Sequence, residues 1–193
     1  MRFLVFVCAF VLTACSQVVE SRPVPGPSTA PTQDQLRVVD AKVKLALMYA
    51  DAFNDYNSRL VREAPAPTAG VGNTNTLISE VCLGARVDQG VPNSRKRTWE
   101  EGELYLEQSV FGFVGVTSAH VLDTVRTKAR SCKTYVGTTN KPAREVKADI
   151  ALPKLDGADD SYGFCESIPD LTDTDYWECE VFVARGDLLV VVK

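Results

Sequence analysis

Behind a single positive charge at Arg2, residues Phe3 to Leu12 form an uninterrupted run of ten apolar positions. A short apolar run behind a charged start is the core of an export signal. It is too short to span a bilayer, which takes about 20 apolar residues. The sequence therefore predicts that everything downstream folds in an oxidising compartment, where cysteines pair covalently rather than stay free.

The residues that follow the run, Leu12-Thr13-Ala14-Cys15, resemble the lipobox of bacterial lipoproteins: aliphatic, small, small, then cysteine. The resemblance implies cleavage after Ala14 and a thioether-linked diacylglycerol on Cys15, which becomes the mature N-terminus. Two or three acyl chains give durable anchoring, because each buried methylene contributes about 0.8 kcal/mol. The expected location is the extracytoplasmic face of the cell membrane, lipid-anchored. Residues 1–14 read as signal peptide and residues 15–33 as a tether, since Pro23, Pro25, Pro27 and Pro31 among Ser, Thr and Val cannot build a core. Residues 34–193 are the expected extracellular domain.

Removing Cys8 with the signal and Cys15 with the lipid leaves Cys82, Cys132, Cys165 and Cys179. Four cysteines in an exported domain predict two disulfides. No pair has CxxC spacing and the chain has one histidine, so a metal site is not expected and no cofactor is implied. Residues 161–168 and 176–184 read as strands around the turn-rich Pro169 to Asp175. Cys165 and Cys179 are equidistant from Thr172, so a symmetric hairpin places them opposite one another. Cys82 is then left for Cys132.

Leu36, Val39, Val43, Leu47 and Ala50 recur at three and four residues, the spacing of one helix face. Pro65-Ala66-Pro67 through Gly70-Val71-Gly72-Asn73 reads as a breaker that ends this helical region. A short helix or turn is expected over Leu77 to Leu83, carrying Cys82. Residues 103–114 are aromatic and β-branched and read as a central strand. Thr117-Ser118 supplies an N-cap for a helix bearing Leu122, Val125, Ala129 and, at its end, Cys132. Tyr135-Val136 and Arg144 to Leu152 read as strands around Thr139-Asn140-Lys141-Pro142. Glu180 to Ala184 and Leu188 to Val192 flank Arg185-Gly186-Asp187 as a hairpin. The fold class expected is α+β: a mainly antiparallel sheet with packed helices, braced by disulfides.

The net charge of −4 argues against nucleic acid as a partner. It is unevenly spread: ten acidic residues against Arg185 and Lys193 leave residues 156–193 at −8, and hence residues 1–155 at +4. Arg95-Lys96-Arg97 and Arg126, Lys128, Arg130 and Lys133 form basic clusters, read as solvated faces.

The order of these features resembles small actinobacterial lipoproteins that carry the PknH-like extracellular sensor domain, named for a mycobacterial Ser/Thr kinase. The residues carrying the likeness are the strand Leu104 to Val114, the helix from Ser118 to Ser131-Cys132, the Asp156-Gly157-Ala158-Asp159-Asp160 turn and the closing Val183 to Val192. The resemblance implies helices packed on an antiparallel sheet, two disulfides, a ligand-binding cleft and no catalytic residues. No kinase domain accompanies it here.

Candidate chemistry is sparse. His120 is the sole imidazole and lacks an identifiable nucleophile and orienting carboxylate, so it reads as a surface or capping residue. GxSxG and SxxK are missing. Asp156, Asp159 and Asp160 offer too few oxygens for Ca²⁺, without EF-hand spacing, and read as an Asx-type turn. Arg185-Gly186-Asp187 spells an adhesion tripeptide, but Gly is what a tight hairpin needs there. Glu100, Glu101 and Glu103 near Trp99, and the pair Tyr176-Trp177, could line a cleft, with edge-of-core packing as the plainer use. The function expected is a non-catalytic envelope lipoprotein that binds a small molecule, lipid, glycan or envelope protein. The alternatives are a hydrolase with paired carboxylates, recognisable by a raised pKa in one of them, and a purely structural or assembly role.

Overall fold

The computed structural model describes residues 31–53, 59–65, 76–87, 93–101, 104–136, 143–168 and 176–193. The apolar run, Cys15 and residues 16–30 of the expected tether lie outside them, as do Gly70 to Asn73, Thr139 to Pro142 and Pro169 to Asp175; residues 31–33 lie inside, and because Thr32 caps a helix that begins at Gln33 the tether ends earlier than the expected residue 33. Among the described residues no helix is long and apolar enough to cross a membrane.

Ten strands and two α-helices make up the described fold. Eight strands form one sheet: β1 (Arg59–Pro65), β4 (Asn93–Glu101), β5 (Leu104–Gly112), β10 (Leu188–Val192), β9 (Tyr176–Arg185), β8 (Asp160–Ile168), β7 (Arg144–Lys147) and β6 (Thr134–Tyr135), in that spatial order. Every pairing is antiparallel. A separate two-stranded sheet joins β2 (Thr76–Ser79) to β3 (Ala85–Val87). The architecture is thus helices on a mainly antiparallel sheet, with two cysteine pairs, Cys82–Cys132 and Cys165–Cys179.

Helix α1 (Gln33–Ala46) starts at Thr32, whose hydroxyl accepts from the Gln35 amide while the Gln35 side chain accepts from the Thr32 amide. This reciprocal cap satisfies two of the amides a helix start leaves unpaired. Val39, Val43 and Leu47 bury against Val110 on one face of the sheet. Ala50 is exposed and beyond the helix, which ends at Ala46 instead of following the periodicity further. The reason lies in the sheet: the Gln108 amide donates to the Ala46 carbonyl and its carbonyl oxygen accepts from the Met48 amide, capturing the groups another turn would use. Gly112 lets α1 lie this close, since a β-carbon there would overlap Val39 and stand 2.8 Å from Val43 Cγ2.

Helix α2 (Ser118–Ser131) covers the opposite face. Thr117 caps it as expected, accepting from the His120 amide. Its Val121, Leu122, Val125 and Ala129 pack with Phe111, Phe113, Phe164, Phe182 and Leu189. Val110 and Phe111 are sequence neighbours on β5 that serve opposite faces, as strand alternation requires. The Arg185-Gly186-Asp187 turn ties both layers together: Ser118 donates from its amide and hydroxyl to the Gly186 carbonyl, and Lys42 of α1 pairs with Asp187 at 2.6 Å.

Further sequence readings need correction: Leu77 to Ser79 lie in strand β2, and of the expected short helix or turn only Val81–Leu83 is helical. Arg95-Lys96-Arg97 is not a solvated basic cluster but the middle of β4: Arg95 reaches Asp40, Lys96 reaches Glu107 at 2.7 Å, and Arg97 donates to the Met48 carbonyl. Pro65 ends a strand, β1, not a helical region. Strand β7 stops at Lys147, because Asp149 takes a positive φ of 59° and turns the chain, which then lays Ile150 and Leu152 over Gly163.

Candidate functional site

The β2–β3 unit turns through a 3₁₀ segment, Val81–Leu83. Cys82 and Leu83 have φ of 53° and 71°, and Gly84 has 107°. Positive φ is unfavourable for the two side-chain-bearing residues, and such outliers persist only where surroundings hold them. Here the holding groups are the buried Val81 side chain and the disulfide from Cys82 to Cys132, the residue that closes α2, with Cα atoms 6.3 Å apart. The bond fastens the β3 strand alongside α2 at one end.

Between them lies a groove of about 570 Å³, within the size of small-molecule sites. Gly84, Ala85 and Arg86 form one wall. His120, Asp123, Thr124, Thr127, Lys128 and Ser131 form the other, one continuous stripe of α2. Asp123 is already engaged by Arg126, which also pairs with Asp160 at 2.7 Å and sits over the Tyr162 ring. Lys128 makes no ion pair among the described residues. A second groove, about 480 Å³, lies on the other flank of the α2 end between Lys133, Glu145 and the paired Arg130 and Asp149, 2.7 Å apart.

Two glutamates are buried on the α2 face of the sheet. Glu166 on β8 accepts from the Tyr135 hydroxyl at both oxygens, 2.9 Å each, and from Arg144 at 3.2 Å. Burial pushes its carboxyl above the usual range, against the pull of Tyr135 and Arg144. Burial and the facing carboxylate likewise push the Tyr135 phenol well up. Glu180 on β9 accepts from Lys193 at 2.6 Å, with the Ser79 hydroxyl beside it; burial raises its carboxyl too, opposed by Lys193. Neither glutamate lines either of these two grooves.

The structure brings the four predicted disulfide cysteines together in the predicted pairs, and Cys165 and Cys179 are directly opposite in register. It places His120 on the groove rim, exposed. Asp159 and Asp160 hold structure: Asp159 accepts from the Gly186 amide at 2.5 Å, and Asp160 from its neighbour's amide and from Arg126. No cluster of metal-ligating side chains occurs among the described residues. Trp99 is core, 1% exposed, donating to the Ala50 carbonyl and meeting Phe53 edge-on. Tyr176 and Trp177 are exposed, with Lys147 over the indole at 3.6 Å. Arg86, Thr124 and Thr127 were not legible as site residues; the only signal was a polar stripe opposite the apolar face of α2.

The chain matches no protein-family model, no curated protein and no solved structure.

Proposed function

We propose that this is a cell-envelope lipoprotein, anchored through diacylglycerol on Cys15 at the extracytoplasmic face, whose domain is a non-catalytic, sensor-like ligand-binding module. The observation that carries the reading is the groove between α2 and β3. It is large enough for a small molecule, and its mostly apolar lining carries Thr and Ser hydroxyls, one imidazole, Asp123, Arg86 and Lys128, polar groups that orient a ligand. Two further features support it. The Cys82–Cys132 bond holds the walls in register without ligand, which lowers the entropic cost of binding. Glu166 is committed to Tyr135 and Arg144, and Glu180 to Lys193, inside the protein. The order of elements quoted from the sensor-domain resemblance fits the same reading. Nucleic acid is not a proposed partner.

A hydrolase with paired carboxylates is the second reading, favoured by the raised carboxyls of Glu166 and Glu180 on adjacent strands. The test is native mass spectrometry of the mature protein made in an oxidising compartment and exposed to envelope extract, against its denatured mass. The expected result is an adduct that denaturation removes and Thr127→Trp abolishes. Matching masses, together with turnover of an envelope substrate that Glu166→Gln eliminates, would establish the hydrolase instead.

A further inference from the structure

We propose that the Cys165–Cys179 disulfide is an exchange site for an external thiol reductant, opened by attack on Cys179 with Cys165 as the leaving group and Lys147 beside it. The two bridges differ in access. Cys82 is 5% exposed in the core with Val81, Ala85 and the buried face of α2, and Cys132 packs against the same cluster, so a reductant meets that bond only after the domain opens. Phe164 and Phe182 point toward α2, so by strand alternation Cys165 and Cys179 point to the opposite face of the sheet. On that face α1 packs over β4, β5 and β10, while Cys179 is exposed and Cys165 half-buried. Opening the bond leaves the hairpin in place. Strands β8 and β9 pair from Asp160 with Ala184 to Ile168 with Tyr176, and Phe164 stacks on Phe182 at 5.9 Å.

Exchange begins when a thiolate attacks one sulfur, and access selects which; the exposed Cys179 Sγ is the one reached. As the bond from the reductant to Cys179 forms, the Cys165–Cys179 bond breaks and its electron pair leaves on the Cys165 sulfur. Lys147 is directly opposite Cys165, so Lys147, Cys165 and Cys179 form one row across β7, β8 and β9. Its ammonium is held on this face by the Trp177 ring, 3.6 Å beneath it. A cation beside a departing thiolate lowers its basicity and speeds its departure. Cys165 then takes a proton from water. A second thiolate attacks the reductant's sulfur in the mixed disulfide and releases Cys179, which is protonated in turn. The bridge gains two electrons, and two reductant thiols leave as a disulfide.

The test treats the folded, detergent-solubilised mature protein with reduced glutathione or with reduced thioredoxin, followed by acid quenching, alkylation and peptide mass mapping. Cys165 and Cys179 should become alkylatable at least tenfold faster than Cys82 and Cys132, with the near-ultraviolet circular dichroism retained. The glutathione adduct should sit on Cys179 in at least tenfold excess over Cys165. Opening by glutathione identifies a small thiol as a sufficient reductant; opening by thioredoxin alone identifies a protein dithiol. Lys147→Gln should slow exchange at least threefold with the native fold retained, and Lys147→Arg should keep the original rate. All four cysteines becoming free together, an adduct on Cys165, or a rate that Lys147→Gln does not lower would overturn the inference. So would a bond that neither reductant opens. None of these outcomes bears on the α2–β3 groove, so the ligand-binding reading stands or falls separately.

Discussion

Lys193 and Glu180 form an ion pair across neighbouring strands, with Nζ 2.6 Å from a carboxylate that is only 4% exposed. The pair sits at the end of the α2 face, where β10 runs between β5 and β9. Removing one partner of such a pair leaves a desolvated charge behind. Lys193→Met should therefore destabilise the domain by about 2–3 kcal/mol, less than a fully enclosed pair because Lys193 keeps contact with solvent. Urea denaturation checks this, and Glu180→Gln on the Lys193→Met background should restore part of the loss.

Stability should depend on pH in two opposing ways. Burial raises the Glu166 and Glu180 carboxyls in the folded state, so the native protein binds protons there more readily than the unfolded chain. Their contribution falls as pH rises from the usual carboxylate value through the raised folded value. Asp40 acts oppositely: Lys44, helped by Asn93 and Arg95, lowers its pKa to about 2. Its stabilisation is present above the usual carboxylate value and is lost as pH falls toward 2. Denaturation midpoints across pH should therefore decline on both sides of a mildly acidic optimum, and Glu166→Gln should flatten the alkaline-side decline. An alkaline-side decline unchanged by Glu166→Gln would remove Glu166 as its cause.

The two disulfides should not be equivalent. Cys82–Cys132 closes a loop with a separation of 50 residues and Cys165–Cys179 one of 14, for which chain entropy gives about 4 and about 3 kcal/mol. The shorter bridge also joins residues already opposite in a hairpin, so less of its effect is needed. Cys82→Ala with Cys132→Ala should lower the urea midpoint more, and it alone should weaken ligand binding, because it frees the Gly84 to Arg86 wall of the groove. Equal losses of affinity from both pairs would contradict this role.

Attachment to the membrane has its own test. Cys15→Ser should move the protein from the membrane fraction to the soluble fraction and abolish the mass added by diacylglycerol. Persistent membrane attachment of that variant would show an uncleaved anchor instead of a lipid.

Much of this architecture could be read in the residues, and the places where it could not share a cause. Thr117 and the apolar spacing of Leu122, Val125 and Ala129 revealed α2 because its cap and buried stripe are local properties. The hairpin of Cys165 and Cys179 was legible because β-strand register follows from counting outward from the turn. Strand β4 was not, since Arg95, Lys96 and Arg97 are polar yet lie within the sheet, satisfied by Asp40, Glu107 and the Met48 carbonyl from other elements. The burial of Glu166 and Glu180 was not legible for the same reason: their partners Tyr135, Arg144 and Lys193 are remote in sequence. The groove escaped detection because one wall is the outer stripe of α2 and the other a strand more than thirty residues earlier.

The most direct test of the ligand-binding account is amide shift mapping of the mature protein titrated with envelope extract. The account predicts saturable shifts confined to residues 84–86 and 120–131, suppressed by Thr127→Trp. Saturable shifts that leave those residues unmoved and fall instead around Glu166 and Glu180 would contradict it and favour the carboxylate pair as the working site.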